Sequence, residues 1–151
     1  AIPLAGSIIK FYLLANITRT LGLLLRSGIP IATALEITTD TTSNLAYRQV
    51  LRTTTHAVVE GEPISRSLMR HASLFPDTCT HLIMVGETGG NLSATLIYLS
   101  ELYEGEVDDL TKNLSSSIEP VLMLIMGLLV GLIAVSVITP IYEITQHIQT
   151  R

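Results

Sequence analysis

Apolar side chains recur every three or four positions over most of this chain, and near the C-terminus they occupy almost every position of one long segment. Leu14, Ile17, Leu21 and Leu24 form the first such stripe. A repeat at this spacing places apolar side chains on one face of an α-helix. The same pattern returns several times between turn-forming residues, so the chain is predicted to be helical throughout.

Six helices are predicted, because glycine, proline and clusters of small polar residues interrupt the periodic pattern. These interruptions are Gly28-Ile-Pro30, Asp40–Asn44, Gly61-Glu-Pro63, Leu74-Phe-Pro76 and Gly89-Gly-Asn91. Proline at the start of a helix loses no hydrogen bond, and Asn44 is a suitable capping residue. The third helix is expected over residues 45–59, and the fifth is expected to end near Glu87.

The sixth predicted helix has an apolar face and an acidic face. Its apolar stripe is Leu92, Leu96, Leu99, Tyr103, Val107, Leu110 and Leu114. Glu101, Glu104 and Asp108 lie almost opposite that stripe and are candidates for contacts with a partner, although a simply hydrated helix face is the commoner meaning of such a pattern. With short connections, residues 1–117 are predicted to form an all-α, antiparallel six-helix bundle.

A membrane-spanning helix is predicted from the segment that follows. No charged residue occurs from Pro120 to Tyr142, and about 20 apolar residues suffice to cross the hydrocarbon core. A buried core helix would usually show a polar stripe, whereas residues 121–138 are apolar on every side. Glu119 and Pro120 are expected at the membrane boundary, since a carboxylate prefers the interface.

Two glycines suggest that this membrane helix packs against another helix. Gly127 and Gly131 form a GxxxG sequence, which permits close approach of two helix backbones in lipid. The alternative is the generally higher frequency of glycine in membrane helices, and the sequence does not decide between them.

Charge and cysteine content narrow the possible functions. The formal net charge is −4, but residues 1–76 carry an excess of about three positive charges and residues 77–119 an excess of about seven negative charges. Scattered arginines and the absence of tryptophan do not suit a nucleic-acid surface. The single cysteine, Cys79, cannot form an internal disulfide and weakly favours a reducing compartment.

The sequence offers little catalytic chemistry. Asp77, Cys79 and His81 supply three possible metal-ligand types, but a helix places only the first and last on one face, and no second ligand pair follows. Nothing indicates an activated thiol at Cys79 with His71 or His81 as its base. We therefore expect neither an enzyme nor a metal or cofactor site.

Several short motifs occur in a specific order. They are Arg19–Leu35, Gly61-Glu-Pro-Ile-Ser65, Leu74-Phe-Pro76, Val85-Gly-Glu-Thr-Gly-Gly-Asn-Leu92, Ile118-Glu-Pro120 and Thr139-Pro-Ile-Tyr142. Together they closely resemble the second half of the inner-membrane platform proteins of type II secretion systems and type IV pili. The resemblance covers nearly the whole chain.

The resemblance implies an organisation and a role. Residues 1–117 would be the second of two cytoplasmic helical domains, residues 118–142 the third membrane helix and residues 143–151 a short periplasmic tail, with a related half upstream. The platform would be non-enzymatic and homo-oligomeric. It would link a cytoplasmic hexameric ATPase to the extraction of pilin or pseudopilin subunits, together with other inner-membrane assembly proteins.

The resemblance also assigns a signature turn between the fifth and sixth helices, formed by Gly86, Glu87, Gly89 and Gly90. Glu87 is expected either to pair with an arginine of the same bundle or of a neighbouring subunit, or to be an exposed carboxylate at a helix end. Two other functional hypotheses remain open at this point. One is a membrane-anchored scaffold or signalling protein, and the other is a thiol-dependent or metal-dependent membrane enzyme that uses Cys79, His71 and His81.

Overall fold

The computed structural model describes the backbone of residues 3–148 and the side chains of residues 6–113 and 118–138. The described chain is entirely α-helical apart from its connections, and all six predicted helices are present. They are α1 (Pro3–Arg26), α2 (Ile31–Thr41), α3 (Leu45–Val59), α4 (Ile64–Met69), α5 (Asp77–Thr88) and α6 (Leu92–Ile148).

The residues at the helix ends explain why the helices begin and end there. Pro30, Pro63 and Pro76 occupy the position just before α2, α4 and α5. Proline there fixes an extended backbone that directs the chain into the helix. Asn44 caps α3 by accepting hydrogen bonds from the amides of Ala46 and Tyr47.

Glycine terminates three of the helices. Gly28, Gly61 and Gly90 have φ values of 84°, 93° and 69°, respectively. This left-handed conformation is strained for residues that carry a Cβ atom, and it commonly closes the last turn of a helix. The predicted breaks after α1, α3 and α5 are therefore confirmed, and their cause is the backbone geometry that glycine permits.

The chain divides into a first unit, Ala1–Leu110, and a second unit, Thr111–Arg151. The first unit contains one apolar core to which every helix contributes. Its largest fully buried apolar side chains are Leu14, Leu35, Leu51, Ile64, Phe75, Ile83, Leu96 and Leu99. The predicted stripe of α6 is buried from Leu96 to Tyr103 and only partly buried at Val107 and Leu110.

Hydroxyl groups are buried in this core beside the apolar side chains. Thr54 and Ser67 hydrogen-bond to each other at 3.0 Å between α3 and α4. Thr18 and Thr38 donate to carbonyl oxygens four residues earlier in their own helices, each at 2.7 Å. Because a buried hydroxyl without a partner is costly, these bonds allow small polar residues to fill tightly packed positions.

Two helices are long and apolar enough to cross a membrane within the described part of the chain, Gly6–Arg26 and Leu92–Ile138. The first contributes Leu14, Ile17 and Leu21 to the core of the first unit, and this role accounts for its apolar character. In contrast, the most apolar stretch of the second helix has a mean hydropathy of 3.0, and none of that stretch is buried.

Candidate interaction site

The carboxylate of Glu87, in the last turn of α5, binds the first turn of α4. It accepts hydrogen bonds from the amides of Ile64 at 2.6 Å and Ser65 at 3.0 Å, and from the Ser65 hydroxyl at 2.5 Å. Pro63 precedes α4 and provides no side-chain cap. Glu87 therefore supplies from another helix the capping oxygen that Ser, Asp or Asn would normally provide locally.

This interaction matters because α4 is only six residues long. A helix of that length cannot offset the cost of nucleation by its own hydrogen bonds. A negative charge at its N-terminus also complements the helix dipole. No arginine of the described residues pairs with Glu87, and Glu87 is not a free carboxylate at a helix end, because its oxygens are engaged by the α4 backbone and by Ser65. An arginine of a neighbouring subunit stays a prediction.

The glycines of the predicted signature turn have two different functions. Gly86 is buried within α5, and a Cβ atom there would lie 2.6 Å from Thr95 Oγ1 and 2.8 Å from Thr95 Cβ. It thus permits close packing of α5 on α6. Gly90 supplies the positive φ that reverses the chain, and Gly89 is the C-terminal cap of α5. The turn itself consequently begins after Thr88, and Gly86 and Glu87 belong to the preceding helix.

Motifs that are distant in the sequence meet around one open groove of about 780 Å³ in the first unit. We call it the helix-end groove. Its walls include the turn Gly61–Pro63, residues 86–88 at the end of α5, Gly90 and the first residues of α6. Its apolar lining is Leu25, Ile31, Val58, Met69, Met84 and Leu92. Glu87 thus both lines the groove and holds its α4 wall in place.

The predicted acidic face of α6 is only partly available for contact. Glu101 and Asp108 are exposed. Glu104 instead forms an ion pair with Arg19 of α1 at 2.6 Å, and each of these side chains is 45% exposed. Beside this pair, the rings of Phe11 and Tyr103 stack between the same two helices with centroids 5.7 Å apart. Glu104 therefore also contributes to packing within the first unit.

The residues considered for catalysis are arranged unfavourably for it. Cys79 is fully buried, and burial raises the pKa of its thiol to about 11, so the thiol is protonated at neutral pH. His81 donates through Nδ1 to the backbone carbonyl of Asp77 at 2.6 Å. No group of three potential metal-binding side chains occurs among the described residues.

The apolar segment of α6 presents its side chains outward along its whole described length. From Val121 to Ile138 its large apolar side chains are exposed to fractions between 49% and 70%. No atom outside the local helix backbone would contact a Cβ added at Gly127 or Gly131. The helix continues through Glu119 and Pro120, both of which are exposed. Exposing such a surface to water is unfavourable by roughly 1.5–3 kcal/mol per large side chain.

Sequence analysis missed two residues that build the site. Ser65 occurs in the quoted Gly61–Ser65 motif but received no role there, and Thr95 was not singled out. The sequence gave no signal for either residue. The partner of Ser65, Glu87, is 22 positions away along the chain. The partner of Thr95, Gly86, lies in a different helix.

Comparison with known proteins identifies the family. Residues 17–140 match the family described as "Type II secretion system (T2SS), protein F". The chain is 31% identical to the type IV pilus assembly protein PilC of Thermus thermophilus over 143 residues, which are 95% of this chain and 35% of that protein. It is also 34% identical to TapC of Aeromonas hydrophila, a type IV pilus assembly protein, over 95% of this chain and 34% of that one.

A secretion protein is similarly related. The type II secretion system protein F of Xanthomonas campestris is 33% identical over 95% of this chain and 35% of that protein. The chain thus spans about a third of the length of these relatives. The family match covers most of the chain, and the predicted resemblance is confirmed. The chain belongs to the protein F family of inner-membrane platform proteins, which serves type II secretion systems and type IV pili.

Proposed function

We propose that this chain is part of a non-enzymatic assembly platform that couples a cytoplasmic hexameric ATPase to the extraction and assembly of pilin or pseudopilin subunits. The observation that carries the proposal is the family match over residues 17–140, which covers most of the helical first unit and the apolar segment of α6. The names of the relatives, pilus assembly proteins and a secretion-system protein, agree with this role.

In this proposal the chain has three parts. Residues 1–117 form an antiparallel helical bundle in the cytoplasm, residues 118–142 cross the inner membrane and residues 143–151 lie in the periplasm. Glu119 and Pro120 mark the boundary, and Gly127 and Gly131 pack against another membrane helix. The exposed apolar surface between Val121 and Ile138 supports the membrane assignment, because lipid is the environment in which that surface is stable.

A platform must transmit force, and two contacts suit that task. Glu87 links the end of α5 to the start of α4, and the missing side chain at Gly86 brings α5 against α6. The start of α4, the end of α5 and the start of α6 would consequently move as one body. A push applied to α6 by a partner would thereby reach α5 and α4. Glu101 and Asp108 remain the proposed acidic contacts for that partner.

The proposal is tested by deleting the gene and restoring it in its native host. The wild-type gene is expected to restore filament assembly or secretion. The double substitution Glu101→Lys with Asp108→Lys is expected to abolish it at an unchanged protein level, whereas Glu36→Lys, an exposed acid on α2, should retain function. Normal filaments and secretion in the deletion strain would refute the platform role.

The same strain allows the partners to be identified. Purification in a gentle detergent is expected to recover a hexameric ATPase and pilin-like subunits with the wild-type protein. Recovery of the ATPase should be reduced in the double variant. Partners drawn only from outside any pilus or secretion machine would favour the scaffold hypothesis instead.

A further inference from the structure

Helices α1 and α6 together present one exposed face of the first unit, which we call the α1–α6 face. Residues three and four positions apart share one side of a helix, so each helix contributes a row of exposed side chains. The row on α1 is Arg19, Leu23 and Arg26, and the row on α6 is Ala94, Tyr98, Glu101 and Asp108. A basic row therefore lies beside an acidic row.

The contacts between the two helices fix which residues lie at the same level. Gly22 lies against Ile97, whereas Arg19, earlier in α1, pairs with Glu104, later in α6. The two helices are therefore antiparallel over this part of the first unit. Arg26, one turn beyond Gly22, consequently lies beside the first turns of α6.

Two charges of opposite sign on this face remain unpaired. Arg26 and Glu101 are the two charged residues that line a surface pocket of about 410 Å³ between α1 and α6. Tyr98, which is 55% exposed, lines the same pocket. No ion pair to either charge occurs in the part of the chain that the structure describes. The lining is thus neutral as a whole, with its cation on α1 and its anion on α6.

This arrangement of charges is complementary to itself. A two-fold axis that runs along the face, parallel to the two helices, places α1 of one copy on α6 of the other and keeps each residue at its own level. Arg26 of each copy then faces Tyr98 and Glu101 of the other copy, and the same contact forms twice. A guanidinium group can pair with the carboxylate and stack on the tyrosine ring. A second copy thus supplies both missing partners at once.

From these features we infer that the α1–α6 face binds the same face of a second copy of this chain, with Arg26 of each copy against Glu101 of the other. The charge pattern carries the inference, and the exposed side chains of Leu23 and Tyr98 supply apolar contact area beside it. It rests on the proposed function, because a platform is expected to be homo-oligomeric, and it identifies the partner at the acidic face of α6 as a second copy. Reduced recovery of the ATPase with the double variant would then follow from loss of assembly.

The contact is tested by cross-linking in the native host. Two differently tagged full-length copies are produced together in the deletion strain, one with Leu23→Cys and the other with Ala94→Cys. Both positions are exposed on the α1–α6 face, whereas the native Cys79 is buried. A short bis-maleimide is expected to join the two tagged copies. In the control, Val59→Cys, which is exposed on α3, replaces Leu23→Cys and should give only background product.

Charge reversal distinguishes this contact from any other approach of the two copies. With Arg26→Glu in both copies, or Glu101→Arg in both copies, like charges meet, and the cross-linked fraction should fall about fivefold or more. With Arg26→Glu in the Leu23→Cys copy and Glu101→Arg in the Ala94→Cys copy, opposite charges meet again and the cross-link should return. Arg52→Glu in both copies reverses an exposed arginine of α3 and should have no effect.

Three results would overturn the inference. They are absence of the cross-link in a strain that assembles filaments or secretes normally, a cross-linked fraction that the charge reversals do not change, and cross-linking of Leu23→Cys to a different protein in place of the second copy. Failure of the platform role would look different, because the charge-dependent cross-link would form although the deletion strain assembled filaments and secreted normally.

Discussion

The Glu87 carboxylate accepts a hydrogen bond of 2.5 Å from the Ser65 hydroxyl, although 22 positions separate the two residues in the sequence. This contact joins two of the motifs that identify the family, Gly61–Ser65 and Val85–Leu92. Because the same carboxylate caps the α4 backbone, a glutamate at the end of one helix determines whether another helix can begin.

Loss of the Glu87 carboxylate should loosen α4. Glu87→Ala removes three hydrogen bonds to a charged acceptor, and we expect it to reduce the local opening free energy of α4 by about 2 kcal/mol. Hydrogen exchange at the amides of Ile64 and Ser65 should accelerate by about 30-fold as a result. Glu101→Ala, a change at an exposed glutamate of α6, provides the control. Unchanged exchange in Glu87→Ala would show that α4 is stable without its cap.

The close approach of α5 and α6 makes Gly86 sensitive to any added side chain. Gly86→Ala should destabilise the first unit by about 1–3 kcal/mol, because its Cβ atom would overlap Thr95. The double change with Thr95→Gly should recover part of this loss. Gly105→Ala is the matched control, since a Cβ at that helical position meets no atom within 4 Å and should be neutral or stabilising. Equal effects of the two alanines would contradict the packing argument.

The Cys79 thiol should react slowly in the folded protein. Its pKa is raised from 9.0 to about 11, so at pH 8 the thiolate population is lower by about 100-fold, and burial reduces alkylation further. The reaction with iodoacetamide before and after denaturation measures this difference. Rapid labelling of the folded protein would reopen the thiol-enzyme hypothesis.

The same pKa shift has a defined effect on stability. The folded state retains the Cys79 proton at a pH at which the unfolded chain releases it. The stabilising contribution is therefore complete below about pH 9 and decreases as the pH rises through about 11. Cys79→Ala should remove this part of the alkaline dependence, as urea titrations at pH 8 and pH 10.5 would reveal. If the free energy of unfolding depended on pH identically in the wild type and in Cys79→Ala, the raised pKa of Cys79 would be contradicted.

The apolar segment of α6 should not tolerate a charge in its middle. Leu129→Arg is expected to impair membrane insertion, since arginine at the centre of a membrane helix costs roughly 2.5–3.5 kcal/mol on the insertion scale. The fraction of protein that resists carbonate extraction should consequently fall. Asp108→Arg, which lies in the first unit, should leave it unchanged. Full resistance of the Leu129→Arg protein to carbonate extraction would count against a membrane-spanning helix in the apolar segment of α6.

The sequence predicted the helices well because their signals are local. Gly28, Gly61 and Gly90 end helices through their own backbone conformations, and the apolar repeat of Leu14, Ile17 and Leu21 marks a buried face directly. The charge-free stretch after Glu119 was equally clear from composition. For the same reason the ordered motifs were sufficient to predict the family.

The sequence by itself thus determined the helical class, the number and approximate ends of the helices and the apolar segment, since each depends on residues that are neighbours along the chain. Only the tertiary structure decided that Glu87 caps α4, that Gly86 makes room for Thr95 and that Glu104 pairs with Arg19. It also brought the motifs around one groove. These contacts depend on how helices pack, and packing joins side chains whose separation along the chain carries no information about their distance in space.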